Sequence, residues 1–303
     1  MSTTLRGVLS PVVTPFDTDL QPDVARFVRH CRWLLERDVG LAVFGTNSEG
    51  NSLAVREKIA LLEALVAAGL PPARMMPGTG CCALTDTVDL TRRAVALGCA
   101  GVLMLPPFYY KGVSDDGLFA SYSEVIQRVG DARLRIYLYH IPPVSQVSIT
   151  LPLIERLLAA YPGTIAGVKD SSGDTANTRA MLERFQPRGF DVFAGSENYL
   201  LATLRGGGAG CISATANVNP AAIADLARTW QASDADAKQA ALDAVRAVFQ
   251  KLPMIPALKA AIAHYGGDDG WAAVRPPLMA LTAEQRAGLV AALQPTGFAM
   301  PGL

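Results

Sequence analysis

Eight short apolar runs alternate with longer stretches of helical period from Gly7 to about Ser213, and that alternation leaves this chain few folds to choose from. The runs cover residues 7–10, 41–44, 74–76, 101–105, 136–139, 165–168, 191–194 and 210–213. Between them, stretches such as 23–36, 56–68, 86–97 and 116–129 repeat apolar residues every three or four positions, the period of a helix with one buried face. Strand then helix, eight times over, predicts an α/β fold, a (β/α)8 TIM barrel over residues 1–222. An open doubly wound sheet is the alternative. Eight repeats without a cofactor fingerprint favour closure: Gly206-Gly207-Gly208-Ala209-Gly210 precedes a strand, whereas a phosphate loop follows one. A tight helix-to-strand turn accounts for it.

Local punctuation agrees with this reading. Thr150 is placed to cap a helix that has Pro152 in its first turn, and Gly69, Gly98 and Gly130 follow helical patterns where C-terminal glycines belong. After Asn219-Pro220 only helical patterns remain, at 221–230, 235–252, 255–265 and 283–293, with Pro276-Pro277 as a stiff connector. They exceed the one helix that finishes a barrel, so residues 223–303 are expected to form a small C-terminal helical domain.

Charge and composition exclude several function classes. Lysine plus arginine and aspartate plus glutamate both number 27, so no chain-wide attraction to nucleic acid or an anionic membrane is implied. The start Met1-Ser2-Thr3-Thr4-Leu5-Arg6 has no apolar signal core, and no apolar segment is of membrane length. Cysteines at 31, 81, 82, 99 and 211 show neither a disulfide framework nor metal-ligand spacing. A cytoplasmic protein with reduced, mostly buried thiols, no metal and no cofactor is expected.

In a barrel of this kind the reacting groups collect at the C-terminal strand ends. One end stands out: Thr164-Ile165-Ala166-Gly167-Val168-Lys169-Asp170-Ser171-Ser172-Gly173 sets a lysine at the inner end of a buried strand. A desolvated ammonium gives up its proton more readily than one in water, and a neutral amine adds to a ketone to form an iminium. Snorkelling of Lys169 to the surface, or pairing with Asp170, is the plainer alternative. Other ends deliver Gly45-Thr46-Asn47-Ser48-Glu49-Gly50, Pro106-Pro107-Phe108-Tyr109-Tyr110-Lys111, Tyr139-His140-Ile141-Pro142, Gly195-Ser196-Glu197-Asn198 and Ile212-Ser213. Tyr139 can carry a proton if a chain through Thr46 to Tyr110 connects it, and the backbone N–H groups of Gly45-Thr46-Asn47 form an anion nest for a carboxylate. Alone, Tyr139 reads more often as a barrel tyrosine with a satisfied hydroxyl. Glu49 reads as a structural carboxylate bonding loop N–H groups, and His140 as a packing residue.

These motifs, with Gly210-Cys211-Ile212-Ser213-Ala214-Thr215-Ala216-Asn217, resemble in order and spacing the dihydrodipicolinate synthase and N-acetylneuraminate lyase family, from about Gly7 through the helical tail. The resemblance implies a class I aldolase or lyase without metal or organic cofactor, acting on a 2-oxo acid such as pyruvate and built as a homotetramer, a dimer of dimers. It assigns the Schiff base to Lys169, the proton shuttle to Tyr139 and the relay to Thr46 and Tyr110. In synthase members the tyrosine matching Tyr110 crosses from the neighbouring subunit. Asn47, Ser171, Glu197, Ile212 and Ser213 fall where substrate is bound.

Departures from the family pattern bear on the substrate. Synthases carry an arginine where this chain has Val144, and losing a guanidinium removes a directional carboxylate contact. Sialic acid lyases carry paired acids where Glu197 is followed by Asn198. The expectation is a lyase, aldolase or dehydratase acting on a hydroxylated or 3-deoxy sugar acid, with pyruvate as product or co-substrate. The alternatives are condensation of pyruvate with aspartate semialdehyde, and a non-catalytic barrel that binds a small acid.

Overall fold

The computed structural model describes residues 5–303; Met1–Thr4, on which the expectation for the start of the chain partly rests, lie outside the described residues. Seven strands form: β1 Gly7–Ser10, β2 Gly40–Leu41, β3 Val102–Met104, β4 Ile136–His140, β5 Ile165–Asp170, β6 Asp191–Ala194 and β7 Gly210–Ile212. They make one sheet in the order β2-β1-β7-β6-β5-β4-β3, parallel in each described register. A parallel neighbour needs a long crossover, and a helical stretch stands between each strand and the next.

The run at 74–76 is not a strand. Pro72–Arg74 turns as a 3-10 helix, and pairing starts beyond it. Ala100 N–H donates to Met75 O at 3.1 Å, Leu103 N–H to Pro77 O at 2.9 Å and Thr79 N–H to Leu103 O at 3.0 Å. Pro77 has no N–H to give back, so the segment bridges β3 at Gly78 without building a ladder.

Helices form within two residues of the sequence expectation, at Val24–Leu35, Val55–Ala67, Leu84–Ala96 and Asp115–Val129. Their caps are those the sequence offers: Asp23 accepts the Arg26 N–H at 2.9 Å, and Thr150 accepts the Leu153 N–H at 3.1 Å. Gly69, Gly98 and Gly130 take φ of 79°, 83° and 63°, the left-handed conformation that ends a helix. The tail is helical at Pro220–Thr229, Ala235–Gln250, Met254–Gly266 and Ala283–Leu293. Among the described residues no helix is long and apolar enough to cross a membrane. The five cysteines are free thiols; Cys31 and Cys211 are buried, whereas Cys82 is exposed.

Two compact units divide the chain: the described residues of Met1–Arg6 with Pro71–Cys211, and Gly7–Leu70 with Ile212–Leu303. In the first, every residue of β4 is buried, and the Tyr137 ring meets Phe193 edge-on at 5.8 Å. Gly167 lies beneath it in β5; a Cβ there would stand 2.4 Å from Asp191 O and 2.6 Å from the Tyr137 ring, so only glycine lets the strands close. In the second, Phe27 stacks on Phe44, and the Arg26 guanidinium donates to both oxygens of Asp268 at 2.7 and 2.8 Å.

Candidate active site

In the first unit β5 carries Lys169 next to its last residue, and β4 carries Tyr139 as its register partner. Both are 2% exposed. The Lys169 Nζ donates to the Tyr139 hydroxyl at 3.3 Å and stands 4.4 Å from the centre of that ring. Side chains alternate along a strand, so Asp170 leaves by the opposite face. Its carboxylate accepts from Ser172 N–H at 2.9 Å, Asn177 Nδ2 at 3.1 Å and Thr178 Oγ1 at 2.7 Å. Neither plainer alternative for Lys169 is realised. Among the described residues no carboxylate pairs with it. A buried amine facing a phenol can add to a carbonyl while the phenol exchanges a proton with a substrate oxygen.

The remaining candidates of this unit are spread. Ser171 follows the strand and donates its N–H to His140 O at 2.7 Å, and its side chain packs so closely on Gly195 that a Cβ there would meet Ser171 Oγ at 2.0 Å. Glu197 is buried at the start of a 3-10 turn, Glu197–Tyr199, just beyond β6. Tyr110 is 73% exposed and packs edge-on against Tyr109 at 5.4 Å; the structure does not bring it to Tyr139.

In the second unit Thr46 and Asn47 open a 3-10 turn, Thr46–Ser48. The turn is bracketed by two left-handed residues, Phe44 at φ 66° and Glu49 at φ 55°, and Gly50 admits no side chain because a Cβ would lie 2.1 Å from Phe44 O. Gly45 N–H donates to Ser48 Oγ at 3.2 Å, and Thr14 Oγ1 to Ser48 O at 2.7 Å. Ile212 and Ser213 are buried at the end of β7, where Ser213 N–H donates to Leu9 O at 3.2 Å and Ser213 Oγ accepts from Arg246 Nη1 at 3.3 Å.

Glu49 is structural, but its partners come from the tail rather than its own loop. Its carboxylate accepts from Lys259 Nζ on Met254–Gly266, and from the Arg275 N–H at 3.0 Å. Lys259 donates also to Ala273 O at 2.7 Å, while the Arg275 guanidinium binds Glu57 at 2.6 and 3.0 Å. Burial pushes the Lys259 ammonium down to about 8, with Glu49 pulling the other way. Nothing in the sequence singled out Lys259 or Arg275. Lysine in an otherwise apolar helix is the one signal that was there.

The family model described as the Dihydrodipicolinate synthetase family matches residues 4–296 of this chain. An uncharacterized DapA-like lyase of Chloroflexus aurantiacus is 36% identical over 292 residues, 95% of this chain and 96% of the relative. The crystal structure of dihydrodipicolinate synthase from Agrobacterium tumefaciens matches with a TM-score of 0.88 and 34% identity, covering 96% of this chain and 99% of that one. The structure of YagE, a prophage protein of E. coli in the dihydrodipicolinic acid synthase family solved in complex with pyruvate, matches with a TM-score of 0.87 and 27% identity over 97% and 99% of the two chains.

Proposed function

The chain belongs to the dihydrodipicolinate synthetase family, lyases of the class I aldolase type that work through a lysine Schiff base, and from that premise we propose that Lys169 is its Schiff-base lysine and Tyr139 its proton shuttle. The observation that carries this is the 3.3 Å contact between the Lys169 amine and the Tyr139 hydroxyl at paired positions of β4 and β5. The neutral amine adds to the C2 carbonyl of a 2-oxo acid, water leaves, and an iminium results. Its positive nitrogen draws electrons from the neighbouring bonds. In aldol cleavage the C3–C4 bond breaks as Tyr139 takes the proton of the C4 hydroxyl, leaving an aldehyde and the enamine of pyruvate. Protonation at C3 and hydrolysis then release pyruvate. In dehydration a C3 proton is lost and the C4 hydroxyl departs as water.

The substrate on this reading is a hydroxylated or 3-deoxy sugar acid. Val144 supports it: in the turn Pro142–Ser145 an exposed aliphatic side chain stands where the synthases resembled carry an arginine. Thr46 serves the proton relay together with Tyr110, which from its exposed position reaches the Tyr139 of a neighbouring subunit rather than its own, and Asn47, Ser171, Glu197, Ile212 and Ser213 serve the substrate. On this reading residues 1–222 form the barrel, with the segment that bridges β3 at Gly78 in place of an eighth strand, residues 223–303 form its helical domain, and the working form is a cytoplasmic homotetramer. A second reading, condensation of pyruvate with aspartate semialdehyde, is favoured by the likeness to the Agrobacterium tumefaciens synthase. The test is to incubate the protein with a panel of 2-oxo-3-deoxy sugar acids and measure pyruvate, and separately to supply pyruvate with aspartate semialdehyde. Pyruvate release or dehydration in the first arm supports the sugar-acid reading; turnover in the second arm alone overturns it.

A further inference from the structure

His140 follows Tyr139 on β4 just as Asp170 follows Lys169 on β5, and the two are register partners in their turn. By strand alternation they project from the face opposite the reacting pair. There His140 is 5% exposed, and its Nδ1 accepts the Ile149 N–H at 3.0 Å. A ring nitrogen that accepts carries no proton, so the imidazole is held neutral with its proton on Nε2. The bond draws the segment 141–148 back onto the strand end that it leaves. Within that segment Pro142–Ser145 makes one helical turn, and Gln146 takes a left-handed φ of 54°. Ser145 Oγ donates within the same segment, with Ile141 O and Val147 O both at 3.0 Å. On the other side, the His140 carbonyl accepts from Ser171 N–H, two residues beyond Lys169.

We propose that His140 is a positioning residue for the Tyr139–Lys169 pair: by accepting the Ile149 N–H it clasps the loop 141–148 shut and fixes the end of β4 from which the Tyr139 hydroxyl meets Lys169. The inference rests on the reading of Lys169 and Tyr139 as the reacting groups. It makes the clasp sensitive to acid, because a proton on Nδ1 would set one N–H against another and break the bond. Three charged groups stand around the clasp. Asp170 faces the ring from β5, Asp115 accepts from the Thr150 hydroxyl next to Ile149, and the Lys111 ammonium donates to Ser145 O at 2.7 Å. Burial holds the His140 ring below the ordinary histidine range, while Asp170 pulls the other way. The clasp is closed at neutral pH and opens as pH falls below that range.

The experiment is the rate of Lys169 labelling by saturating pyruvate with cyanoborohydride, from about pH 7.5 to about pH 4, in the full chain and two variants. His140→Asn keeps an acceptor that does not titrate; His140→Leu has none. The wild-type rate should fall at the acid end by about tenfold more than that of His140→Asn. His140→Leu should be slower by about tenfold or more throughout, its half-saturating pyruvate changing less than its rate. Superimposable acid limbs for wild type and His140→Asn overturn the proposal, as does a wild-type rate in His140→Leu. If His140→Leu does not fold, the acid limb of His140→Asn decides alone. Absence of any adduct on folded wild-type protein overturns instead the Schiff-base reading beneath it.

Discussion

Lys169 and Lys259 are both buried, one in each compact unit, and they differ in what meets the ammonium. Lys259 ends on the Glu49 carboxylate and the Ala273 carbonyl, both fixed acceptors, and neither side chain of that ion pair has any exposure. Lys169 ends on a phenol hydroxyl, a group that can donate a hydrogen bond as well as accept one. A carboxylate partner holds a buried lysine in one place by charge, whereas an uncharged phenol leaves its direction available for reaction. The lysine in the ion pair is therefore an architectural one. It pins Glu49, and with it the strained turn Thr46–Ser48, to the tail.

The largest expected difference is in chemistry. Lys169→Ala should lower turnover by at least about a thousandfold while leaving the melting temperature near that of the wild type. Activity surviving in Lys169→Ala at a tenth of the wild-type rate, checked by pyruvate release, would erase the distinction between the two lysines. Tyr139→Phe sharpens it. The amine is kept and the proton carrier lost, so pyruvate labelling of Lys169 should persist while turnover falls by about a hundredfold to ten-thousandfold.

On the other side, Lys259→Met leaves the Glu49 charge buried without its ion partner and should cost about 3–5 kcal/mol of unfolding free energy, read from a denaturant titration. The double variant Lys259→Met, Glu49→Gln should recover most of that loss, because the desolvated charge goes too. Equal stability of the single and double variants would show that the pair is not coupled.

The smallest effect concerns a buried base that has neither kind of partner. Burial pushes His30 down to about 4, and neither ring nitrogen has a hydrogen-bond partner among the described residues. The unfolded ring titrates near about 6.5, so the unfolded state binds the proton first. Stability from this group is complete above about pH 6.5 and is lost as pH falls toward 4, by about 3 kcal/mol. His30→Phe, which keeps a ring beside Trp33 and Trp271, should shift the acid unfolding midpoint to lower pH. An unmoved midpoint would remove His30 as a determinant.

The contrast between the two lysines also marks what a sequence can reveal. The burial of Lys169 was legible because a run of apolar residues ends on it, whereas its separation from Asp170, which the sequence leaves open as a partner, comes from strand alternation. Tyr139 was legible from the same kind of strand end on the neighbouring run. Lys259 was not: one lysine in a helix reads as solvated, and its partner Glu49 lies 210 residues earlier, a separation that no local period reports. The strands and helices followed from periodicity to within a few residues, except at 74–76, where Pro72 and Pro77 displaced the pairing. Composition does not say whether the Tyr110 ring turns in or out; the signal for an exposed ring was the resemblance, in which the matching tyrosine crosses to a neighbouring subunit.

The measurement that bears most directly on the account is intact mass after borohydride reduction of the protein with pyruvate, followed by peptide mapping. The account predicts one adduct per chain, on Lys169, with Lys259 unlabelled in the same digest. An adduct on another lysine, or none on folded protein, would contradict it.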